Sequence, residues 1–164
     1  MIAIQKVPVP ANGMLDKYTS VTGAYTDCYM TEAPRKVSFA EYVFAFYSTP
    51  LFKLERLILL SVSKPSTDIQ ANQLARGEID KFAAWSVENR SDNEILLCDY
   101  LSRTRSWLMT KGNGTTTQLY FGSAVLPKTG ETSLGFGFRA LLGFHQIYSV
   151  LLLRSARSSL NRRR

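Results

Sequence analysis

Apolar and polar residues alternate along several short stretches of this chain, and a period of two predicts β-strands. The clearest run is residues 24–31, in which Tyr25, Asp27 and Tyr29 share one face. Four further runs occupy residues 82–89, 94–99, 103–110 and 115–126. Short links join these four, including a Gly-Asn-Gly turn at 112–114, so they are predicted to form an antiparallel meander. Residues 2–10 alternate weakly around two prolines and predict an edge strand or an extended arm.

Helical signals lie between the first strand and the meander. Ser38, followed three residues later by Glu41, matches a capping box, and the helix is predicted to end near residue 47. The proline of Ser-Thr-Pro at 48–50 is tolerated in a first helical turn, so a second helix is predicted from there to about residue 62. A third is predicted from residue 67 or 68 to Gly77.

A long helix is predicted at the end of the chain, over residues 134–160. Spacings of three and four give it one stripe, which consists of Phe138, Leu141, Leu142, His145, Tyr148, Leu152 and Ala156. A helix that follows a meander must bury its stripe, and the open face of the sheet is the available partner. The predicted fold class is therefore α+β, with an antiparallel sheet wrapped on a long C-terminal helix and two or three short helices after the first strand.

Length and composition suit one domain, since 164 residues with 45% hydrophobic positions can form a substantial core. We predict a single domain over residues 1–164. Within it, residues 1–18 form the arm or edge strand, residues 20–160 the core, and residues 161–164 a basic tail. The first residues lack the apolar run of a secretory signal, and no segment reaches the roughly 18 apolar residues of a transmembrane helix. The expected location is the cytoplasm.

The net charge of +7 is concentrated at the C-terminal end of the chain. Arg154, Arg157 and the three arginines at 162–164 supply five of these charges, and no acidic residue follows Glu131. A short arginine tail is ordinarily solvated, although such a tail can also contact nucleic acid or an anionic membrane. Because the body of the chain carries little net charge, nucleic acid is not an expected partner.

Few residues in the sequence suit a metal, a disulfide or a known catalytic motif. Cys28 and Cys98 lie in strand-like runs and are predicted to be reduced and structural. One histidine with two distant cysteines does not match zinc-ligand spacing. No phosphate-cradling glycine loop and no hydrolase or protease signature occurs. The sequence predicts no metal and no cofactor, and it leaves open whether the protein is an enzyme.

Four motifs carry a resemblance to a known family. They are Tyr-Met-Thr-Glu-Ala-Pro-Arg at 29–35, Phe-Ala-Phe-Tyr-Ser-Thr-Pro at 44–50, Ser-Arg-Thr-Arg-Ser-Trp at 102–107 and Gly-Phe-His-Gln-Ile-Tyr at 143–148. Over residues 20–156 the chain resembles an uncharacterised bacterial family related to the START-like or polyketide-cyclase-like superfamily. The resemblance implies a helix-grip fold with a ligand cavity between sheet and long helix. The chain departs from the superfamily by having fewer strands before the helices.

The first functional hypothesis is a module that binds a small apolar ligand between the sheet and the C-terminal helix. Its candidate lining residues are Tyr29, Trp85, Arg103, Arg105, Trp107, Tyr120, His145 and Tyr148. One arginine could anchor an acidic group of the ligand. Arg103, Arg105 and Trp107 share a strand face. If that face is inward, the arginines need partners such as Asp99 or Glu55, or an anion; if it is outward, they are solvated.

Two other hypotheses remain open at this point. The first is a cyclase- or hydratase-like enzyme, in which His145 acts as acid or base and Arg103 or Arg105 stabilises an oxyanion. In that case the histidine must converge with an arginine on one open cavity, whereas a structural histidine would simply bond to a strand. The second is an interaction or assembly protein with a filled core. A homodimer is compatible with all three hypotheses.

Overall fold

A computed structural model of the chain describes residues 3–53 and 66–162, apart from the side chains of residues 138–141. The described strands are β1 (Gln5–Lys6), β2 (Tyr25–Ala33), β3 (Lys81–Phe82), β4 (Trp85–Arg90), β5 (Glu94–Asp99), β6 (Thr104–Asn113) and β7 (Thr116–Val125). The described helices are α1 (Phe39–Tyr47), α2 (Asp68–Arg76) and α3 (Phe136–Arg162), and a 3-10 turn spans Asp16–Tyr18. The helix predicted to run to residue 62 is helical at residues 50–53, and the rest of it, with Glu55, lies outside the described residues.

The strands form one seven-stranded antiparallel sheet in the order β1-β2-β7-β6-β5-β4-β3. The predicted meander accounts for β4 to β7, and the first long strand, β2, pairs with the last strand, β7. The α+β class, with short helices after the first strands and a long C-terminal helix, is confirmed. The run predicted at 82–89 is instead two strands, because Ala83 adopts a φ of 53°, which an extended strand does not contain.

Two short helices begin at capping boxes. The Ser38 side chain accepts from the Glu41 amide, and the Glu41 carboxylate accepts from the Ser38 amide, as the sequence predicted. Thr67 and Gln70 make the same reciprocal pair at the start of α2. That helix ends at Gly77, whose φ of 75° is the left-handed conformation that glycine adopts without a Cβ clash.

The sheet separates two clusters of buried side chains. On the side that faces the helices, which we call the helix side, α1, α2 and α3 pack on the inward residues of β2, β5, β6 and β7. From α3 the buried contributors are Leu152, Leu153, Ala156 and Leu160. Arg157 adds a hydrogen bond of 3.0 Å from Nη1 to Thr31 Oγ1 on β2, which ties the helix to the sheet.

The opposite side of the sheet, which we call the arm side, is covered by the N-terminal segment. Leu15 and Tyr18, in and next to the 3-10 turn, pack on Cys28, Leu96 and Trp107. Alternate residues of each strand therefore reach two different cores, so these strands are buried on both faces. Within residues 3–18 of the predicted arm, Gln5 and Lys6 form a strand, and they pair at the edge with β2.

The C-terminal end differs from the prediction in its bounds. Residues 161 and 162, assigned to a basic tail, belong to α3, which begins at Phe136 and ends at Arg162. Within the described part of the chain, no helix has the length and apolar character needed to cross a membrane.

Candidate ligand-binding site

A cavity of ≈ 530 Å³ lies on the helix side, between the sheet and α3. Its walls come from α1, residues 51–52, β4 to β7, the loops beside these strands, and the middle of α3. Aromatic and aliphatic residues dominate, including Phe46, Phe52, Trp85, Phe121 and Tyr148. A small set of polar residues is interspersed among them, namely Asp99, Thr104, Arg105, Ser106, Ser123, His145 and Ser149. The cavity thus combines apolar walls with polar groups at particular places.

Strand register explains where several of these polar groups lie. Directly paired residues place Asp27, Ser123, Ser106, Leu97 and Val87 in one row across five strands, all facing the helix side. Adjacent strands are about 4.8 Å apart, so the row is polar at the β2 end and apolar at the β4 end. Its middle member, Ser106, shares a hydrogen bond of 3.0 Å with the Tyr47 hydroxyl of α1.

A group of polar side chains, which we call the Asp27 cluster, closes the cavity near β2 and β7; it consists of Tyr25, Asp27, Ser123 and His145. The Asp27 carboxylate is fully buried. Its Oδ1 accepts from Ser123 Oγ at 2.6 Å, and its Oδ2 accepts from the Tyr25 hydroxyl at 3.1 Å. His145 Nε2 lies 2.9 Å from Ser123 Oγ and 3.6 Å from Asp27 Oδ2. These contacts satisfy a buried charge that would otherwise be costly.

The order of the contacts differs from that of a nucleophilic triad. In a triad the histidine lies between serine and aspartate and bonds to them through its two different nitrogens. Here Ser123 lies between Asp27 and the same nitrogen, Nε2. Since an ionised carboxylate only accepts and a hydroxyl has one proton, Ser123 donates to Asp27 and accepts from His145 Nε2–H. This arrangement holds Ser123 in place and directs its proton to Asp27 rather than to the histidine.

Residues of α3 complete the surroundings of the Asp27 cluster. Gln146 Nε2 donates to the Tyr25 hydroxyl at 3.2 Å, and Ser149 Oγ donates to the His145 carbonyl at 2.9 Å. The Tyr25 and His145 rings meet edge to face, with centroids 5.9 Å apart. Burial, together with the nearby Asp27 charge, raises the pKa of Tyr25 to about 12, so its hydroxyl remains a neutral donor at neutral pH.

The opposite end of the cavity, at β4 and β5, is built differently. Trp85 and Asp99 are directly paired across these strands. Asp99 Oδ1 accepts from the main-chain amides of Arg103 and Thr104, at 2.7 and 3.0 Å, and so fixes the turn into β6. The indole Nε1 of Trp85 is buried and has no hydrogen-bond partner among residues 3–53 and 66–162.

The structure brings four of the eight sequence-predicted lining residues to this cavity: Trp85, Arg105, His145 and Tyr148. Tyr29 is buried in the helix-side core but does not line the cavity, and Arg103 does not line it either. Trp107 and Tyr120 pack together on the arm side, with ring centroids 6.4 Å apart. Strand periodicity alone left open which way the face that carries Trp107 points, and in the structure that face lies away from α3.

Arg105 lines the cavity, but its charged guanidinium group is bonded to residues on the arm side. Its Nε donates to Glu88 Oε2 at 2.5 Å and to the Tyr18 hydroxyl at 2.9 Å, and its guanidinium lies over the Tyr18 ring. Both Glu88 and Tyr18 belong to the arm side. Of the partners that the sequence left open for this arginine, Asp99 is used by main-chain amides, and the ion pair is made with Glu88 on β4.

Sequence reasoning did not select Asp27 or Ser123 as site residues. A signal for Asp27 was present, since it shares a strand face with Tyr25 and Tyr29, and an acid between two aromatic residues predicts a buried carboxylate. No comparable signal marks Ser123. Its place beside Asp27 depends on the pairing of β2 with β7, two strands that are far apart in the sequence.

The fold and the cavity together describe an α+β protein in which an antiparallel sheet and a long C-terminal helix enclose an apolar cavity. Neither protein-family models nor curated protein sequences give a match to the chain. Among solved structures, CalU16 from Micromonospora echinospora is similar at 11% identity, over 97% of this chain and 92% of that chain, with a TM-score of 0.35. A likeness this distant carries no argument about the site, and the relation to the START-like superfamily stays a prediction.

Proposed function

We propose that this protein binds a small, mostly apolar ligand in the cavity between its sheet and α3. The observation that carries the proposal is the cavity itself, whose ≈ 530 Å³ falls within the roughly 300–1,000 Å³ typical of small-molecule sites. Its apolar walls would supply most of the binding free energy, and its few polar groups would orient the ligand.

The catalytic alternative receives less support from the same residues. An oxyanion role needs a cation directed into the cavity beside His145. The Arg105 guanidinium is instead bonded to Glu88 and Tyr18 on the arm side, and Arg103 does not line the cavity. The interaction hypothesis required a filled core, and an apolar cavity of this size argues against that requirement.

The test is to measure ligand binding in a variant whose cavity is blocked. Ser149 is buried, lines the cavity and lies on α3, so Ser149→Phe places a ring in the cavity. Ile147→Phe is the matched control, because it introduces the same residue on the same helix at an exposed position. The binding probe is N-phenylnaphthylamine, whose fluorescence rises on transfer from water into an apolar site, and native mass spectrometry reports any compound that co-purifies.

We expect wild type and Ile147→Phe to bind one probe molecule and Ser149→Phe to lose at least tenfold in affinity. An extra mass of a few hundred daltons in native spectra would be lost in the same variant. Equal probe binding by all three proteins would contradict the proposal, since the probe would then sit elsewhere. If Ser149→Phe unfolds, as judged by circular dichroism, Ala84→Leu narrows the cavity from the sheet side instead.

A further inference from the structure

Large apolar side chains are exposed at two places beside the cavity. On α3, Phe144 and Ile147 are 69% and 62% exposed, and Leu151 is exposed as well. In the turn between β5 and β6, Tyr100 and Leu101 are exposed too. Because Phe144 and Tyr100 also line the cavity, these two rings lie where it opens to the surface, which we call its mouth. Exposed apolar groups that lie together mark contact surfaces.

Along α3, the exposed apolar residues continue into arginines on the same face of the helix. Positions 144, 147, 151, 154, 158 and 162 follow one another at spacings of three and four, which places them in one stripe. The residues that this helix buries, Leu152, Ala156 and Leu160, form a separate stripe. We call the exposed one the outer stripe; it consists of Phe144, Ile147, Leu151, Arg154, Ser158 and Arg162.

The outer stripe is basic as well as apolar. Arg154 and Arg162 are exposed, and no acidic residue follows Glu131 in the sequence. At about 1.5 Å per residue, the stripe is about 27 Å long, with its apolar residues beside the cavity and its arginines toward the end of the helix. The stripe therefore offers apolar contact and positive charge side by side.

The turn between β5 and β6 presents its two apolar residues from a fixed backbone. The Tyr100 amide donates to the Ala84 carbonyl, and the Ser102 amide donates to the Asp99 carbonyl, each at 2.9 Å. The Asp99 carboxylate accepts from two further main-chain amides of the same turn. These bonds hold the backbone in place, so the exposure of Tyr100 and Leu101 is a property of the fold.

An anionic lipid bilayer matches both properties of the outer stripe. Its headgroups attract arginines, and its interface accepts aromatic and aliphatic side chains. Nucleic acid would engage the arginines but offers little to Ile147 and Leu151. A second copy of the chain, packed symmetrically on this stripe, would bring the same arginines and no acidic residue of the stripe to offset them.

We infer that the outer stripe, together with Tyr100 and Leu101, docks on an anionic lipid surface and holds the mouth of the cavity toward the lipid. An apolar ligand then passes between bilayer and cavity without crossing bulk water, where its exposed surface is unfavourable. The inference goes beyond the proposed function, because docking needs only the surface of the protein and the ligand gives that docking a use.

The experiment measures binding of the whole chain to large vesicles by co-sedimentation. One set of vesicles is phosphatidylcholine alone, and the other is an equal mixture of phosphatidylcholine and phosphatidylglycerol, which is anionic. Ile147→Gln removes apolar area from the outer stripe, and Arg154→Gln removes a charge. The matched controls are Ile69→Gln, at an exposed position on α2, and Lys111→Gln, at an exposed position on β6 far from the turn between β5 and β6.

We expect the wild type to bind the anionic vesicles at least tenfold more tightly than vesicles of phosphatidylcholine alone. Arg154→Gln is expected to weaken this binding about fivefold, as loss of one cation near an anionic surface does, and Ile147→Gln about threefold. Ile69→Gln and Lys111→Gln should change it less than twofold. Leu101→Gln tests which way the mouth faces, and we expect it to weaken binding about threefold.

Four results would overturn the inference. The wild type could bind neither kind of vesicle. Lys111→Gln could weaken binding as much as Arg154→Gln, which would mean that the attraction belongs to the net charge and not to this stripe. Leu101→Gln could bind like the wild type, which would contradict the orientation of the mouth. Finally, light scattering could show a dimer that Ile147→Gln dissociates, which would assign the stripe to a second copy of the chain.

The inference and the proposed function have different readouts. Binding of N-phenylnaphthylamine without vesicles reports on the cavity, and co-sedimentation reports on the surface. Vesicle binding by a chain that does not bind the probe overturns only the proposed function, and the reverse result overturns only the inference. The substituted side chains are exposed, so circular dichroism should be unchanged. If Ile147→Gln nevertheless fails to fold, Leu151→Gln removes apolar area from the same stripe and must show the same loss.

Discussion

The two sides of the sheet differ in how their buried hydrogen-bonding groups are paired. Each carries one tryptophan and at least one acid that accepts hydrogen bonds, the buried Asp27 on the helix side and the partly buried Glu94 on the arm side. On the arm side, Trp107 Nε1 is bonded to Glu94, and Arg105, Glu88 and Lys17 form a chain of ion pairs. On the helix side, Asp27 accepts from Ser123 and Tyr25, but Trp85 Nε1 has no acceptor within residues 3–53 and 66–162, and the Trp85 residue lines a cavity.

This difference indicates that the arm side mainly stabilises the fold, whereas the helix side contains the space for a ligand. The N-terminal segment supplies donors to the arm-side carboxylates. The Met14 amide donates to Glu94, and Lys17 and the Tyr18 hydroxyl donate to Glu88. The long α3 spans the other side and leaves ≈ 530 Å³ between itself and the strands. The indole N–H of Trp107 is satisfied by Glu94 on the arm side, whereas that of Trp85 on the helix side has no acceptor among the described residues.

The largest expected effect is on stability, from Trp107→Ala. This side chain is fully buried, so its removal leaves a cavity and takes away one of the donors to Glu94, which keeps the Met14 amide. We expect a loss of about 3–5 kcal/mol in the free energy of unfolding, measured by urea denaturation. Trp85→Ala, from a side chain that already borders a cavity, should lose less than half as much. Equal losses at the two tryptophans would remove the distinction between the two sides.

The next effect is expected from Asp27→Asn. The substitution keeps the shape of a fully buried side chain but removes the charge that accepts from Ser123 and Tyr25. We expect the free energy of unfolding to fall by about 2 kcal/mol, as for hydrogen bonds to charged groups. Asp92→Asn, at an exposed turn position, is the control and should change it by less than about 0.5 kcal/mol. A neutral outcome at position 27 would mean that the cluster does not stabilise the fold.

A smaller effect, with a pH dependence, is expected from Glu88→Gln. Burial opposes ionisation of Glu88, but hydrogen bonds from Lys17 and Tyr18 and the charge of Arg105 outweigh it, so the pKa of this carboxyl is lowered. Removing its charge leaves a mostly buried guanidinium without its ion-pair partner, and we expect a loss of about 1–2 kcal/mol at neutral pH.

The sign of the pH dependence follows from the lowered pKa. The contribution of Glu88 is fully present above the ordinary pKa of 4.5 and is lost as the pH falls through the lower pKa of the folded state. Denaturation curves of wild type and Glu88→Gln should therefore differ at pH 7 and converge below pH about 3. If the difference in the free energy of unfolding between the two proteins stays constant down to that pH, the lost stability is unrelated to ionisation of Glu88.

The smallest effect on stability is expected from Trp85→Phe in the absence of ligand. Because Trp85 Nε1 has no acceptor in the part of the chain that the structure describes, its removal breaks no hydrogen bond there and relieves a buried, unsatisfied donor. We expect a change of less than about 1 kcal/mol in the free energy of unfolding, against a larger loss for Trp107→Phe. A loss of similar size for both would indicate that Trp85 Nε1 has a structural partner.

Several local features could be predicted because the residues that cause them are near in sequence. The Ser38–Glu41 capping box, the left-handed end at Gly77 and the meander of β4 to β7 all depend on neighbours or on short links. The break at Ala83 could not be predicted, because the alternating pattern of residues 82–89 contains no signal for the positive φ that divides this run into two strands. For the candidate site, the apolar stripe of α3 placed His145 and Tyr148 toward the sheet, and both line the cavity.

By itself, the sequence determined the order of helices and strands, the α+β class and the residues that share each strand face. Periodicity is a local property. It specifies which side chains share a face of a strand or helix, but not which other element packs on that face. Only the tertiary structure decided that Trp107 faces the N-terminal segment while Trp85 faces α3, and that Asp27 meets Ser123 96 positions away. Those outcomes depend on the pairing of β2 with β7 and on how α3 spans the sheet, which are long-range contacts that no local pattern encodes.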